Sequence, residues 1–325
     1  MKPVITGTGS FLPEKVLTNS DLARMVDTSN EWIVERTGIS ERRIAEDGVA
    51  ASDLAIPAAQ RAMDKAGLKP EEVDLIIVGT STPDMMFPST ACFVQSKLGA
   101  VNAAAFDLLA ACSGFTFSLA TASNFLLSGQ YKNALVIGAE VYSTIVDWTD
   151  RKTCVLFGDG AGAVVLSARD GDSGILSTHI FSNGNYSDFL MAPGGGSKLR
   201  FTNEMIEQKQ YCLAMDGKKT FTLAVRNMTQ AARAALDHNG LKTSDLKLVI
   251  PHQANIRIIS AVAKKLGLDE NLVYSNIHRY GNTAAASIPI ALDEALSEGR
   301  AGKGDLILTV TFGGGFTWGS SLIRL

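Results

Sequence analysis

An α/β protein built from two related halves is what the 325-residue sequence predicts, and three observations carry the prediction. Ala58 to Thr82 (AAQRAMDKAGLKPEEVDLIIVGTST) returns as Ala231 to Asn255 (AARAALDHNGLKTSDLKLVIPHQAN), with Gly67 and Gly240 in register. A unit of this length present twice is a duplication, not a solenoid. Each copy then alternates apolar runs with helical stretches: VDLIIVG, NALVIGA and GAVVLS in the first, KLVIPH, DLILTVTF and GSSLIRL in the second. Strands this continuously apolar belong to sheets covered on both faces. Finally, residues 108–127 (LLAACSGFTFSLATASNFLL) hold no charge at all, as a helix sandwiched between two sheets would.

The elements follow in order. MKPVITGTGSFLPEK opens on a strand and lacks the apolar run of a signal peptide. Thr28-Ser29-Asn30-Glu31 has the form of a capping box, starting a short helix that puts Trp32 and Arg36 four apart on one face. A helix through Ala58, a turn at Gly67 and the strand VDLIIVG come next, followed by the uncharged helix, the strand NALVIGA and the glycine turn FGDGAG. The second half repeats this plan and closes with FGGGFTWGSSLIRL. Aligning Gly129 with Gly299 places Asn282 opposite Cys112. We divide the chain at residue 170, giving halves 1–170 and 171–325 whose meeting place is the natural site.

Composition narrows the function. Hydrophobic residues make up 46% and charged residues 19%, too apolar for a disordered or fibrous chain. A net charge of -3 and a pI near 5.9 exclude a surface built throughout for nucleic acid. Cys92, Cys112, Cys154 and Cys212 lack CxxC spacing, so they form neither a disulfide framework nor a zinc site, and a reducing cytoplasm is expected. Six hydroxyl or amide side chains within 108–127 argue against a membrane span. Gly158 to Ala163 fits GxGxxA but runs into a strand where a dinucleotide site needs a helix. Neither GxxxxGK[ST] nor GxSxG occurs.

Chemistry is carried by three residues at strand ends or loops. Cys112 stands where the uncharged helix begins, a place that favours a thiolate. His252 follows a buried strand in VIPHQAN, and Asn282 lies in the turn YGNTAAAS. A thiol with a separate His and Asn suggests covalent acyl chemistry, and the glycine turns FGDGAG and FGGGFTWG offer backbone N–H groups for an oxyanion hole. A papain-like protease fits poorly, because its cysteine signature is absent. The other cysteines read as small core residues, and His179, His238 and His278 as structural or exposed.

ACSGF, PHQAN, GNTAAAS and FGGGFTWGS, in this order and spacing, resemble β-ketoacyl-acyl carrier protein synthase III, the initiating condensing enzyme of type II fatty-acid synthesis. The resemblance spans essentially the whole chain, including GTGSFLPEKVLTN and NEWIVERTGISERR. It implies a thiolase-like, five-layered αβαβα body of two pseudo-symmetric halves, normally a cytoplasmic homodimer. It implies an acyltransferase using no metal or cofactor, with acyl-CoA and acyl carrier protein as partners and neither nucleic acid nor membrane. Cys112 would be the nucleophile, His252 and Asn282 the pair on the malonyl thioester, and the N–H groups of Cys112 and Gly314 the oxyanion donors. Thr28, Trp32, Arg36, Arg151, Phe221 and Asn255 would bind CoA, while Phe87 would close the acyl pocket of the neighbouring subunit. Arg257, Lys264 and Lys265 would receive the carrier protein. The segment 198–211 is longer and more polar than expected, and Thr222 replaces a frequent basic residue. A condensing enzyme of secondary metabolism on the same fold is the alternative.

Overall fold

The computed structural model describes residues 1–325. Its first sheet comprises β1 (Lys2–Phe11), β2 (Leu75–Gly79), β3 (Ala104–Leu108), β4 (Asn133–Glu140) and β5 (Gly160–Arg169), in spatial order β1-β5-β4-β2-β3. β3, β2 and β4 are parallel neighbours, and β5 pairs antiparallel with β4 and β1. The second sheet comprises β6 (Gly174–Ser182), β7 (Leu248–Pro251), β8 (Leu306–Gly313) and β9 (Thr317–Arg324), in order β7-β8-β9-β6. There β7 and β8 are parallel and the other pairs antiparallel. A lone parallel bridge from Val249 to Val273 stands at the edge that β3 occupies in the first sheet.

Every residue of β2 and of β8 is buried, which their apolar runs require of strands covered on both sides. The covers are helices. α1 (Asn30–Thr37) lies apart near the site, and α2 (Ala51–Ala66) packs on the outer face of the first sheet. α3 (Gly114–Leu127) and α6 (Ser287–Ser297) touch both sheets, while α4 (Gly217–His238) covers the outer face of the second and packs against α5 (Ile256–Leu266). The result is the five-layered αβαβα arrangement. β1 accepts α2 at close range because Gly7 and Gly9 have no side chain: a Cβ there would stand 2.1 Å from the Ala62 oxygen and 2.3 Å from that of Ala58.

Three expectations are corrected. The uncharged stretch is not one helix: Leu108 ends β3, Ala111–Ser113 form a 3-10 turn, and α3 starts at Gly114. No helix is long and apolar enough to cross a membrane. In α3, the side chains of Thr121, Ser123 and Asn124 donate to carbonyls one turn back, which satisfies these three between the sheets, whereas the Thr116 and Ser118 hydroxyls are buried without a partner. Second, the capping box does not form. Ser29 caps α1 by accepting the Trp32 N–H at 3.2 Å, and the Thr28 hydroxyl is buried without a partner. The helix begins at Asn30, so the residue directly before it, Ser29, is the cap and Thr28 stands one place too early. Third, the counterpart of Cys112 is Ala285, not Asn282. Ala111 and Ala284 share a positive φ, 48° and 45°, and each opens a short turn leading into α3 or α6. α6 has 11 residues against 14 in α3, so an alignment made at the helix ends slips by one turn at their starts.

Candidate active site

Cys112 is held at the seam between the sheets. Its turn follows β3, and the β8–β9 hairpin grips it through three bonds: Thr311 Oγ1 to the Cys112 oxygen at 3.1 Å, Thr317 Oγ1 to the Ala110 oxygen at 2.9 Å, and Ser113 Oγ to the Thr317 oxygen at 3.2 Å. Ala111 in the left-handed region makes the bend, a conformation that costs an ordinary residue energy and persists only where the surroundings enforce it. Burial pushes the Cys112 thiol up to about 12, with the nearby Glu140 charge adding to the effect. The expected resting thiolate is therefore overturned, because desolvation in this setting outweighs the helix end.

His252 follows β7, and its N–H donates to the Val310 oxygen at 2.8 Å. The ring is buried, 1% exposed, and burial lowers its pKa to about 3, so it is neutral. Gln253 fixes this loop: its Nε2 donates to Pro251 O, and its Oε1 accepts from Ser275 and Asn276. Asn282 is locked likewise. Its Oδ1 accepts the Ala284 N–H at 2.9 Å, which leaves the Nδ2 protons free to donate.

All three side chains line one cavity of about 380 Å³, and the structure places the remaining candidates around it unevenly. Trp32, Arg36, Phe221 and Asn255 line the same cavity. The guanidinium carbons of Arg36 and Arg151 lie 4.8 and 5.3 Å from the centre of the Trp32 ring, within cation–π range; Arg151 also bonds Asp27. Asn255 caps α5 through the Arg257 N–H and donates to the Arg36 oxygen at 3.0 Å, so it joins α5 to α1. Thr28 is not on the wall. Phe87 does not line this chain's own cavity and is 82% exposed, as Met86 and Leu109 are at 81% and 76%. Arg257, Lys264 and Lys265 are exposed on α5 and form no ion pair.

The glycine turns part company. In FGDGAG the Gly158 and Asp159 N–H groups are spent on the Asn282 and Arg43 oxygens, so this turn buttresses Asn282. In FGGGF the Gly314 N–H makes no turn or loop bond, and neither does that of Cys112. Gly313 packs so tightly that a Cβ on it would stand 2.8 Å from the Cys112 nitrogen. The segment 198–211 lies between two short paired strands, Leu190–Met191 and Ala214–Met215, and Leu190, Leu213 and Met215 roof the cavity.

Sequence reasoning passed over three residues here. Lys152 lines the cavity; its signal was the cation directly after Arg151. Tyr142 also lines it, with its hydroxyl 3.1 Å from Ser81 Oγ. Ser287 stands behind His252. Nothing in spacing pointed to the last two.

A buried thiol that shares a cavity with a neutral imidazole and a primary amide, at the seam of a five-layered α/β body, is the arrangement of the thiolase-like class, here an acyl-transferring condensing enzyme. Residues 106–184 match the sequence model of 3-oxoacyl-(acyl-carrier-protein) synthase III, and residues 236–325 match that of its C-terminal part. The chain is 53% identical to the β-ketoacyl-(acyl-carrier-protein) synthase III of Caldanaerobacter subterraneus, over 98% of this chain and 97% of that one. The crystal structure of 3-oxoacyl-(acyl-carrier-protein) synthase III from Aquifex aeolicus superposes with a TM-score of 0.93 at 50% identity, covering 99% of this chain and all of the other. The chain belongs to the β-ketoacyl-acyl carrier protein synthase III family.

Proposed function

We propose that this enzyme condenses an acyl-CoA primer, acetyl-CoA or another short acyl-CoA, with malonyl-acyl carrier protein to start fatty-acid synthesis. The convergence of Cys112, His252 and Asn282 on one buried cavity carries this reading. Cys112 attacks the thioester carbonyl, the tetrahedral oxyanion is held by the Cys112 and Gly314 N–H groups, and the thiol proton leaves on the departing CoA sulfur. Malonyl thioester then loses CO₂. The enolate oxygen accepts from the His252 ring N–H and the Asn282 amide, and the carbanion carbon attacks the acyl group. Cys112 departs and regains a proton from solvent, leaving 3-oxoacyl-acyl carrier protein. No metal or redox cofactor enters these steps.

Around them, Trp32, Arg36 and Arg151 hold the adenine nucleotide, with Lys152 adding a cation for phosphate, and Phe221 and Asn255 flank the pantetheine arm. Residues 1–170 supply the nucleophile and 171–325 the His, Asn and glycine turn. The cytoplasm is the proposed location, in keeping with four free cysteines. Intact-mass spectrometry after exposure to a panel of acyl-CoAs tests the reading: one acyl adduct that maps to Cys112 is expected, and no adduct with any primer would overturn it.

The exposed Phe87, Met86 and Leu109 favour a homodimer in which Phe87 reaches the acyl pocket of the neighbouring subunit. In sedimentation experiments Phe87→Asp is expected to run as a monomer where the unaltered protein runs as a dimer.

Arg257, Lys264 and Lys265 suit an acidic carrier protein despite the net charge of -3. Arg257→Glu is expected to lower the malonyl-carrier-protein half-reaction about ten-fold while acylation by a small acyl-CoA stays nearly intact. Added salt should reproduce that selective loss, because surface attraction is screened over about 8–10 Å. Both half-reactions measured across a salt series provide the check, and equal impairment of the two would remove the docking assignment.

A further inference from the structure

We infer that Ser287 is a positioning residue that sets the tautomer of His252, holding the ring proton on Nε2. The inference rests on the proposed role of His252 as a donor to the enolate. His252 Nδ1 lies 2.7 Å from Ser287 Oγ, both groups being buried, and Ser287 is only 2% exposed. The imidazole has no other side-chain partner.

A hydrogen bond between an imidazole nitrogen and a hydroxyl can run either way, so the surroundings of the hydroxyl decide. The Gln253 N–H points at the same Ser287 oxygen from 3.4 Å, a long contact that nevertheless presents a donor to its lone pairs. With a donor already facing that oxygen, the favoured course for the hydroxyl proton is toward Nδ1. Nδ1 is then the acceptor, and the neutral ring carries its single proton on Nε2. The opposite tautomer would aim two N–H groups at Ser287 Oγ and leave Nε2 a lone pair, which repels an enolate oxygen instead of stabilising it.

No competing charge stands beside the ring. The ring forms no ion pair and bonds no carboxylate, its one side-chain hydrogen bond being to Ser287, and burial alone lowers its pKa. Ser287 is also the first residue of α6. The helix that lies between the sheets thus carries the hydroxyl to the back of the ring, while the Asn282 turn that precedes it carries the second donor.

The test reads the proton directly. With histidine nitrogens labelled in the full-length protein, two-bond proton–nitrogen correlation spectra should show His252 as the Nε2–H form and neutral between about pH 5 and 8. Ser287→Ala should give the Nδ1–H form or a mixture, and should lower malonyl decarboxylation about ten-fold with acylation of Cys112 unchanged. Ser287→Thr, which keeps the hydroxyl, should restore both the tautomer and the rate. An Nδ1–H signal in the unaltered protein, an unchanged tautomer in Ser287→Ala, or an unchanged decarboxylation rate in that variant overturns the inference. If Cys112 fails to take an acyl group at all, the functional reading fails instead, and the spectra still report on Ser287.

Discussion

Cys112→Ser is expected to abolish the acyl-enzyme. The thiol of the native protein is protonated at rest, pushed up to about 12 by burial, and reacts because sulfur is a strong nucleophile and a good leaving group even when its thiolate is scarce. A serine hydroxyl in the same place starts far less acidic and meets the same desolvation. His252, in the assigned tautomer, offers it a donor and not a base. Loss of signal should therefore be complete on intact-mass spectrometry, with no adduct after exposure to acetyl-CoA in an excess that fully labels the native chain. Full acylation of the serine variant would remove Cys112 from its role. The variant should fold normally, since a smaller atom replaces sulfur in a turn pinned by Thr311 and Thr317.

His252→Ala and Asn282→Ala should separate the two half-reactions. Each is expected to accept an acyl group from CoA and then to stall, with CO₂ release from malonyl-acyl carrier protein slowed on the order of 10²-fold or more per lost donor. The size of the effect follows from the low-dielectric cavity, where a charge developing on oxygen has few other partners. Because His252 is neutral with a pKa lowered to about 3, its own titration should not shape activity between about pH 5 and 8. Release of labelled CO₂ at the native rate by both variants would contradict the enolate assignment.

Much of this was legible in the chain. The duplication and the apolar runs anticipated two covered sheets with helices between them, because burial on both faces replaces the alternation of a half-exposed strand with an unbroken apolar run. Cys112, His252 and Asn282 stood out because each is a reactive or polar residue just beyond a strand or within a turn. What escaped depends on contacts distant in sequence. Ser287 meets His252 only when α6 docks between the sheets, and Tyr142 reaches the cavity from a run that reads as plain core. The protonation of Cys112 was misjudged because a helix start is visible in sequence whereas the loss of water around a thiol is not. At residues 28 and 29, either hydroxyl could serve as the cap, and only backbone geometry chooses between them.

The two alanines with positive φ carry a consequence for stoichiometry. The scaffold contains two matching bends, at Ala111 and Ala284, yet the second is already committed: the Ala284 N–H holds the Asn282 amide. Its side is also walled in. A Cβ on Gly114 would stand 3.2 Å from that of Ala285, and one on Gly138 would stand 2.3 Å from the Ala285 oxygen. A reactive side chain installed at residue 285 would press into these glycines before it met any substrate, and would loosen the amide that the bend now secures. On the proposed reading the matching bend therefore offers no second place for an acyl group, and one acyl group per polypeptide is the expected load.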